Sequence, residues 1–152
     1  MTYDWHLPRE GSCRCGQIKI RVDAPPLLTA ACHCTGCQRM TGSAFSLGAA
    51  FPSSALSVTG AEPVIGGLHG TTRHFFCSHC KSWLFTKPDQ LGDIVMVRTT
   101  LLDDQRGLEP FMETMTREKQ AWATTPARHS YETWPPADAF AALATEFAAS
   151  RR

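Results

Sequence analysis

Residues 32–37 read C-H-C-T-G-C and place three cysteines, Cys32, Cys34 and Cys37, within six positions. The other four cysteines of the chain form two close pairs, Cys13 with Cys15 and Cys77 with Cys80. Thiolates grouped at spacings of two or three residues are typical of zinc sites. An odd number of cysteines also argues against a framework of disulfides. The pattern therefore predicts metal binding.

Seven cysteines divide into a group of four and a group of three. A structural zinc ion takes four protein ligands, whereas a catalytic zinc ion takes three and keeps one open position. The triplet can supply three ligands from one short loop, and the two pairs can join in a four-cysteine site. In the alternative partition, Cys13 and Cys15 complete a site on the triplet, which leaves Cys77 and Cys80 without partners. We prefer the first partition.

A second alternative makes both clusters structural zinc sites, with a histidine completing the triplet. His33 lies between two candidate ligands, so in an extended segment its side chain points away from them. The other histidines that could reach the site through the fold are His69, His74 and His79. A thioredoxin-like role for Cys77 and Cys80 is poorly supported, because such pairs open a helix and the residues that follow are strand-like.

Composition limits the class of protein. The chain has 152 residues, of which 43% are hydrophobic and 19% are charged, and these values predict one folded domain. A net charge of +1 does not suggest nucleic-acid binding. No apolar run approaches the roughly 20 residues that span a bilayer. Residues 1–10 are polar and do not resemble a secretory signal, so we expect a cytoplasmic protein.

Hydrophobic periodicity predicts a mainly β fold. Alternation at residues 17–22 is typical of a half-buried strand. Further short runs predict strands at residues 44–51, 55–58, 71–76, 82–86, 94–98 and 111–116. Phe140, Leu143 and Phe147 recur at helical spacing within residues 137–150, which predicts an amphipathic helix packed on the sheet. We expect a tail at residues 1–10, a zinc domain at residues 11–135, and a C-terminal helix at residues 136–152 packed on the same domain.

A zinc ion on Cys32, Cys34 and Cys37 would keep one open coordination position. Such an ion can bind an incoming thiol and lower its pKa, or it can polarise a small carbonyl group. Two zinc ions and seven thiolates would make the net charge of the protein slightly negative. The charge therefore weakens the nucleic-acid interpretation further.

Three motifs resemble one known family. These are G-S-C-R-C-G at residues 11–16, C-H-C-T-G-C at residues 32–37 with Gly42 and Ser43 behind it, and F-C-S-H-C at residues 76–80. They resemble the glutathione-dependent formaldehyde-activating enzyme family, which also includes centromere protein V. The resemblance continues through residues 102–104, Pro110, Trp122 and residues 134–135.

The resemblance implies a β-tent fold like that of Mss4-type proteins, with two zinc sites. By the family pattern, a structural zinc ion is held by Cys13, Cys15, Cys77 and Cys80. The zinc ion regarded as catalytic is held by Cys32, Cys34 and Cys37. The implied activity joins formaldehyde to glutathione, which gives S-(hydroxymethyl)glutathione and is classed as a carbon–sulfur lyase reaction in reverse.

The chain departs from the family pattern at three positions. Lys81 replaces a glycine that usually follows the last cysteine, and Gln38 replaces a frequent arginine after the triplet. Glu113 stands where many members have a histidine. The cysteine frame matches the family, whereas these positions do not, and a shared frame does not establish a shared substrate.

Two functional hypotheses follow from the cysteine frame. The first is an enzyme in which a zinc-bound thiolate attacks an aldehyde, with His33 and Glu113 as candidates for the general acid. The second is a zinc-stapled binding module without turnover. The fourth ligand of the triplet zinc distinguishes them, because water or an external thiol there favours the enzyme and a protein ligand favours the module.

Overall fold

The structure is a computed structural model that describes residues 3–68 and 70–151, and strands dominate it. Eleven strands lie in these residues: β1 Arg9–Ser12, β2 Ile18–Val22, β3 Leu28–Cys32, β4 Ser46–Pro52, β5 Leu56–Gly60, β6 Val64–Gly66, β7 Arg73–Phe76, β8 Trp83–Lys87, β9 Ile94–Arg98, β10 Met112–Thr114 and β11 His129–Ser130. The helices are α1 Thr35–Thr41 and α2 Phe140–Ser150. The predicted mainly β class with a short C-terminal helix is confirmed.

A three-stranded antiparallel sheet has the order β1-β2-β5. Its central strand, β2, buries Ile18, Ile20 and Val22 and exposes the two residues between them. The alternation in the sequence therefore corresponds to one face on the core and one face in solvent. The turn between β1 and β2 carries Cys13 and Cys15.

An eight-stranded sheet has the order β11-β10-β3-β4-β9-β8-β7-β6. β10 runs parallel to both β3 and β11, and the remaining neighbours are antiparallel. The register pairs Cys32 with Ser46 and Gly48 with Arg98. Paired residues lie on the same face of a sheet, as do residues two apart on one strand. These four residues therefore share one face.

The predicted C-terminal helix is confirmed over α2, which a short 3₁₀ turn at Ala137–Ala139 precedes. Leu143 and Phe147 are buried, and Phe140 packs against the core from its edge. Trp5 lies against Phe147 with ring centroids 6.2 Å apart and is itself buried. Residues ahead of β1 therefore contact the closing helix.

The short loop predicted for the triplet is instead the end of β3 followed by α1. β3 is buried along nearly its whole length and rich in alanine, so it shows no alternation. α1 begins after Cys34, whose Sγ accepts a hydrogen bond from the Cys37 N–H, and it ends at Gly42, where φ is 61°. Among the described residues, no helix has both the length and the apolar character needed to cross a bilayer.

Candidate functional site

The first cysteine cluster lies where the two sheets meet. Cys13 and Cys15 come from the β1–β2 turn, and Cys77 and Cys80 come from the β7–β8 turn. All four sulfur atoms lie within 4.8 Å of one another. Four convergent thiols form a donor set that suits a tetrahedral zinc ion. A metal held here would connect turns of two different sheets.

Backbone N–H groups point at these sulfurs. The Ile18 N–H donates to Cys13 Sγ at 3.3 Å, and the Cys80 N–H donates to Cys77 Sγ at 3.5 Å. Burial opposes ionisation of the Cys80 thiol, but hydrogen bonds from Ser82 contribute to lowering its pKa to about 5. Donors that favour thiolates are what a metal site needs, because thiolates are the metal ligands.

Lys81 follows this cluster and adopts a left-handed conformation with φ of 62°. Its N–H donates to the Cys77 carbonyl at 3.0 Å, and its Nζ donates to the Ser78 carbonyl at 2.6 Å. A side chain in this conformation costs roughly 1–2 kcal/mol. The glycine that the family resemblance leads one to expect here would adopt it without that cost.

We expect Lys81→Gly to raise the free energy of unfolding by about 0.5–1 kcal/mol, because relief of strain exceeds the greater unfolded-state entropy of glycine. Denaturant unfolding of the zinc-loaded protein measures the change. Lys81→Ala is the matched control, since it removes the ammonium group and keeps the positive φ. This interpretation would be contradicted if the free energy of unfolding of Lys81→Gly were no higher than that of Lys81→Ala.

The second cluster is the triplet of Cys32, Cys34 and Cys37, whose sulfurs also lie within 4.8 Å of one another. Cys32 ends β3, Cys34 caps α1, and Cys37 lies one turn into the helix. Hydrogen bonds from the Cys32 and Cys37 thiols lower the pKa of Cys34 to about 2. The same contacts raise the pKa values of the other two thiols. The three sulfurs thus favour one thiolate beside two thiols, and a cation that takes all three sulfurs fits this arrangement.

The structure brings together the cysteines that spacing alone grouped. Among the described residues, neither cluster includes a histidine, aspartate or glutamate. His74 Nδ1 lies 2.9 Å from the Thr86 hydroxyl, and His79 is exposed. His69 lies outside the described residues. The alternative in which a histidine completes the triplet therefore gains no support from the described part of the chain.

His33 lies fully buried between the triplet ligands and β10. Its Nε2 is 2.8 Å from Glu113 Oε2. Glu113 also accepts hydrogen bonds from Lys119, Thr125 and Ser130. Burial raises the pKa of Glu113, but these donors outweigh it and lower the pKa to about 2. The pair fixes the backbone between two triplet cysteines to the neighbouring strand.

Gln38 supports the same segment. Its side-chain amide donates to the carbonyls of His33 and Glu118, at 2.7 and 3.0 Å. The Glu118 carboxylate in turn accepts from the backbone N–H of Thr35, at 3.1 Å. Gln38 and Glu113, which both depart from the family pattern, thus both form hydrogen bonds that hold the segment of the triplet in place.

Arg98 is a residue of this site that the sequence analysis missed. It ends β9 on the same sheet face as Cys32 and is only 8% exposed. Burial lowers the pKa of its guanidinium to about 10, while the nearby charges of Cys37 and Cys32 oppose that change. It therefore keeps its positive charge at neutral pH. No motif marks Arg98, because the register of β4 with β9 brings it to the triplet.

Comparisons with known proteins agree with this geometry. A family model described as "Glutathione-dependent formaldehyde-activating enzyme" matches residues 8–118, which include both clusters. A Halomonas elongata protein named "Putative glutathione-dependent formaldehyde-activating enzyme" is 27% identical over 128 residues, covering 78% of this chain and 82% of the relative. A crystal structure of a Rhodobacter sphaeroides protein shares the fold, with a TM-score of 0.52 and 22% identity over 62% of this chain and 87% of that one. The chain belongs to the glutathione-dependent formaldehyde-activating enzyme family.

Proposed function

We propose that the protein is a zinc-dependent enzyme that joins a small glutathione-like thiol to a small formaldehyde-like aldehyde, as S-(hydroxymethyl)glutathione synthase does. The reaction is of the carbon–sulfur lyase type. The observation that carries the proposal is the triplet, a cluster of three thiols with no fourth protein ligand among the described residues. The family match and the name of the Halomonas elongata relative support the choice of substrates.

We assign one zinc ion to each cluster. The four-cysteine cluster of Cys13, Cys15, Cys77 and Cys80 has the donor set of a closed structural site. The triplet of Cys32, Cys34 and Cys37 has the donor set of an open, catalytic site. Zinc bound at the triplet would supply Lewis acidity and lower the pKa of a coordinated thiol.

The chain's own residues then have separate tasks. Cys32, Cys34 and Cys37 would hold the metal, and their three sulfurs would leave a coordination position for the substrate thiol. His33 and Glu113 are buried and bonded to each other, so we assign them to positioning the segment of the triplet. Residues 11–135 form the zinc-binding unit in this proposal. The seven free cysteines suit a reducing compartment, so we place the protein in the cytoplasm.

Calorimetry with glutathione tests the proposal. We expect the zinc-loaded protein to bind glutathione with release of one proton, since the coordinated thiol becomes a thiolate near neutral pH. Titrations in two buffers that differ in heat of ionisation count that proton. The control is protein from which a mild chelator has removed the triplet metal.

An aldehyde panel follows with the same protein. We expect formaldehyde to be consumed faster than in the uncatalysed addition, with the hydroxymethyl thioether detected by NMR. Failure of the fully metallated protein to bind glutathione or any other small thiol would defeat the enzyme and favour a zinc-stapled binding module.

A further inference from the structure

The Arg98 side chain lies across the neighbouring strand toward the triplet. It is opposite Gly48 on β4, and a Cβ at position 48 would stand 2.8 Å from Arg98 Nη2 and 3.2 Å from Cζ. The guanidinium therefore occupies the space that a side chain at position 48 would need. Cys32 lies on β3, the strand beyond β4, and on the same face of the sheet. The Arg98 side chain therefore extends in the direction of the triplet.

Packing fixes the guanidinium in place. Its Cζ lies 4.1 Å from the centre of the Trp83 ring, so the charge stacks on the indole. The position is thus defined by Gly48 on one strand and Trp83 on another. A buried long side chain held in this way has lost the rotamer freedom that a surface arginine keeps.

Arg98 lacks the partners that buried arginines normally have. Its Nε is buried without a hydrogen-bond partner. No carboxylate of the described residues lies within 4.0 Å of its guanidinium, although four other arginines of the described chain form such pairs: Arg9, Arg21, Arg106 and Arg151. A buried charge without an acidic partner is costly unless something compensates it.

The triplet supplies only part of that compensation. The nearby charges are the sulfurs of Cys32 and Cys37. Three thiolates around a divalent cation would leave one negative charge, which Arg98 would balance. Sulfur is a weak acceptor, however, and a guanidinium has five N–H donors. Donor capacity therefore remains beside the triplet for an oxygen anion.

We propose that Arg98 holds an anionic oxygen of the substrates beside the triplet. This inference rests on the proposed function. In the addition, the thiolate sulfur forms a bond to the carbonyl carbon, and the π electron pair of the carbonyl moves onto its oxygen. That oxygen then takes up the proton that the thiol released on binding. Arg98 donates hydrogen bonds and keeps its own protons.

The anionic oxygen can come from two sources, the aldehyde as it becomes an alkoxide or a carboxylate of the thiol. Donors set in advance at a developing oxyanion contribute about 10²–10³-fold to kcat. A carboxylate contact would instead act on the affinity for the thiol. Thiols with and without a carboxylate therefore distinguish the two sources, and glutathione and 2-mercaptoethanol are the probes.

The test compares Arg98→Met, Arg98→Lys and Gly48→Ala with the wild-type protein. Arg98→Met removes the charge and keeps the length, Arg98→Lys keeps the charge, and Gly48→Ala displaces the guanidinium without changing it. For each we measure the zinc content, thiol affinity by calorimetry, and kcat and KM for formaldehyde. Gly48→Ala keeps the test decisive if an Arg98 variant fails to fold.

We expect two zinc ions per chain in every folded variant. If the aldehyde is the source, Arg98→Met and Gly48→Ala lower kcat about 10²-fold with both thiols and leave thiol affinity unchanged. If a carboxylate of the thiol is the source, both variants weaken glutathione binding at least 10-fold and leave the affinity for 2-mercaptoethanol unchanged. In either case, Arg98→Lys restores part of the loss.

Two results would overturn the role of Arg98. One is an Arg98→Met protein that loses part of its triplet zinc but has normal turnover for each triplet that still holds zinc. Arg98 would then only balance the charge of the metal site. The other is a set of folded variants indistinguishable from wild type in binding and turnover. By contrast, a wild-type protein that binds no small thiol would overturn the proposed function itself, so the two failures are separable.

Discussion

Cys77→Ser is expected to yield unfolded or insoluble protein. Cys77 is fully buried and belongs to the cluster that joins the β1–β2 turn to the β7–β8 turn, across a separation of 62 residues between Cys15 and Cys77. Structural zinc binding is worth about 10–16 kcal/mol in zinc-finger peptides. Whole domains are stable by only about 5–15 kcal/mol. Loss of this site therefore removes an amount comparable to the entire stability.

Circular dichroism, the soluble fraction and the zinc content measure the outcome. Ser78→Ala is the matched control, because Ser78 is the exposed neighbour in the same turn and contributes no sulfur. We expect the control to behave like wild type. A soluble Cys77→Ser protein with an unchanged melting temperature would show that the four-cysteine cluster is not the structural site.

Sequence patterns predicted seven of the eleven strands in the described residues and missed four, which are β1, β3, β6 and β11. β2 alternates between core and solvent, and β9 was predicted with its observed bounds. β3 was missed because four of its five residues are buried and they lie on both faces, so alternation is absent. β6 and β11 have three and two residues, which is too short for any period to show.

The helix α1 shows how tertiary structure overrides local preference. Its seven residues include Gly36 and two threonines, so its intrinsic helix propensity is poor. An isolated helix of this length is not stable in water. It forms here because Cys34 caps its first turn and Gln38 bonds to the carbonyl of His33. Neither contact could be predicted from helix propensity, because both form only in the folded chain.

The grouping of the cysteines could be predicted because ligand spacing is a local property of sequence. The surroundings of the triplet could not, since they depend on register. Glu113 reaches His33 across 80 residues, and Arg98 reaches the triplet face through its pairing with Gly48. A shift of one residue in either pairing would turn these side chains to the opposite face.

Cys34→Ser is expected to fold normally, to lose one of two zinc ions, and to lose thiol binding and turnover by more than about 100-fold. The triplet lies within six residues, so a metal bound there would hold one segment rather than two sheets. Serine is among the best residues at a helix N-cap, so the hydroxyl replaces Sγ as the acceptor from the Cys37 N–H. The helix therefore keeps its cap while the site loses a thiolate.

Comparison with Cys34→Ala separates the effect of losing the helix cap from the effect of losing the metal ligand. Both variants lose a ligand, but alanine also removes the cap and should cost a further 0.5–2 kcal/mol, an approximate range for N-cap loss. Zinc content, thermal unfolding and glutathione calorimetry give the three readouts, and mild chelation of wild type should reproduce Cys34→Ser by removing one zinc ion. Because only the four-cysteine cluster spans both sheets, loss of both zinc ions together with unfolding in Cys34→Ser would show that the clusters do not divide structural and chemical roles.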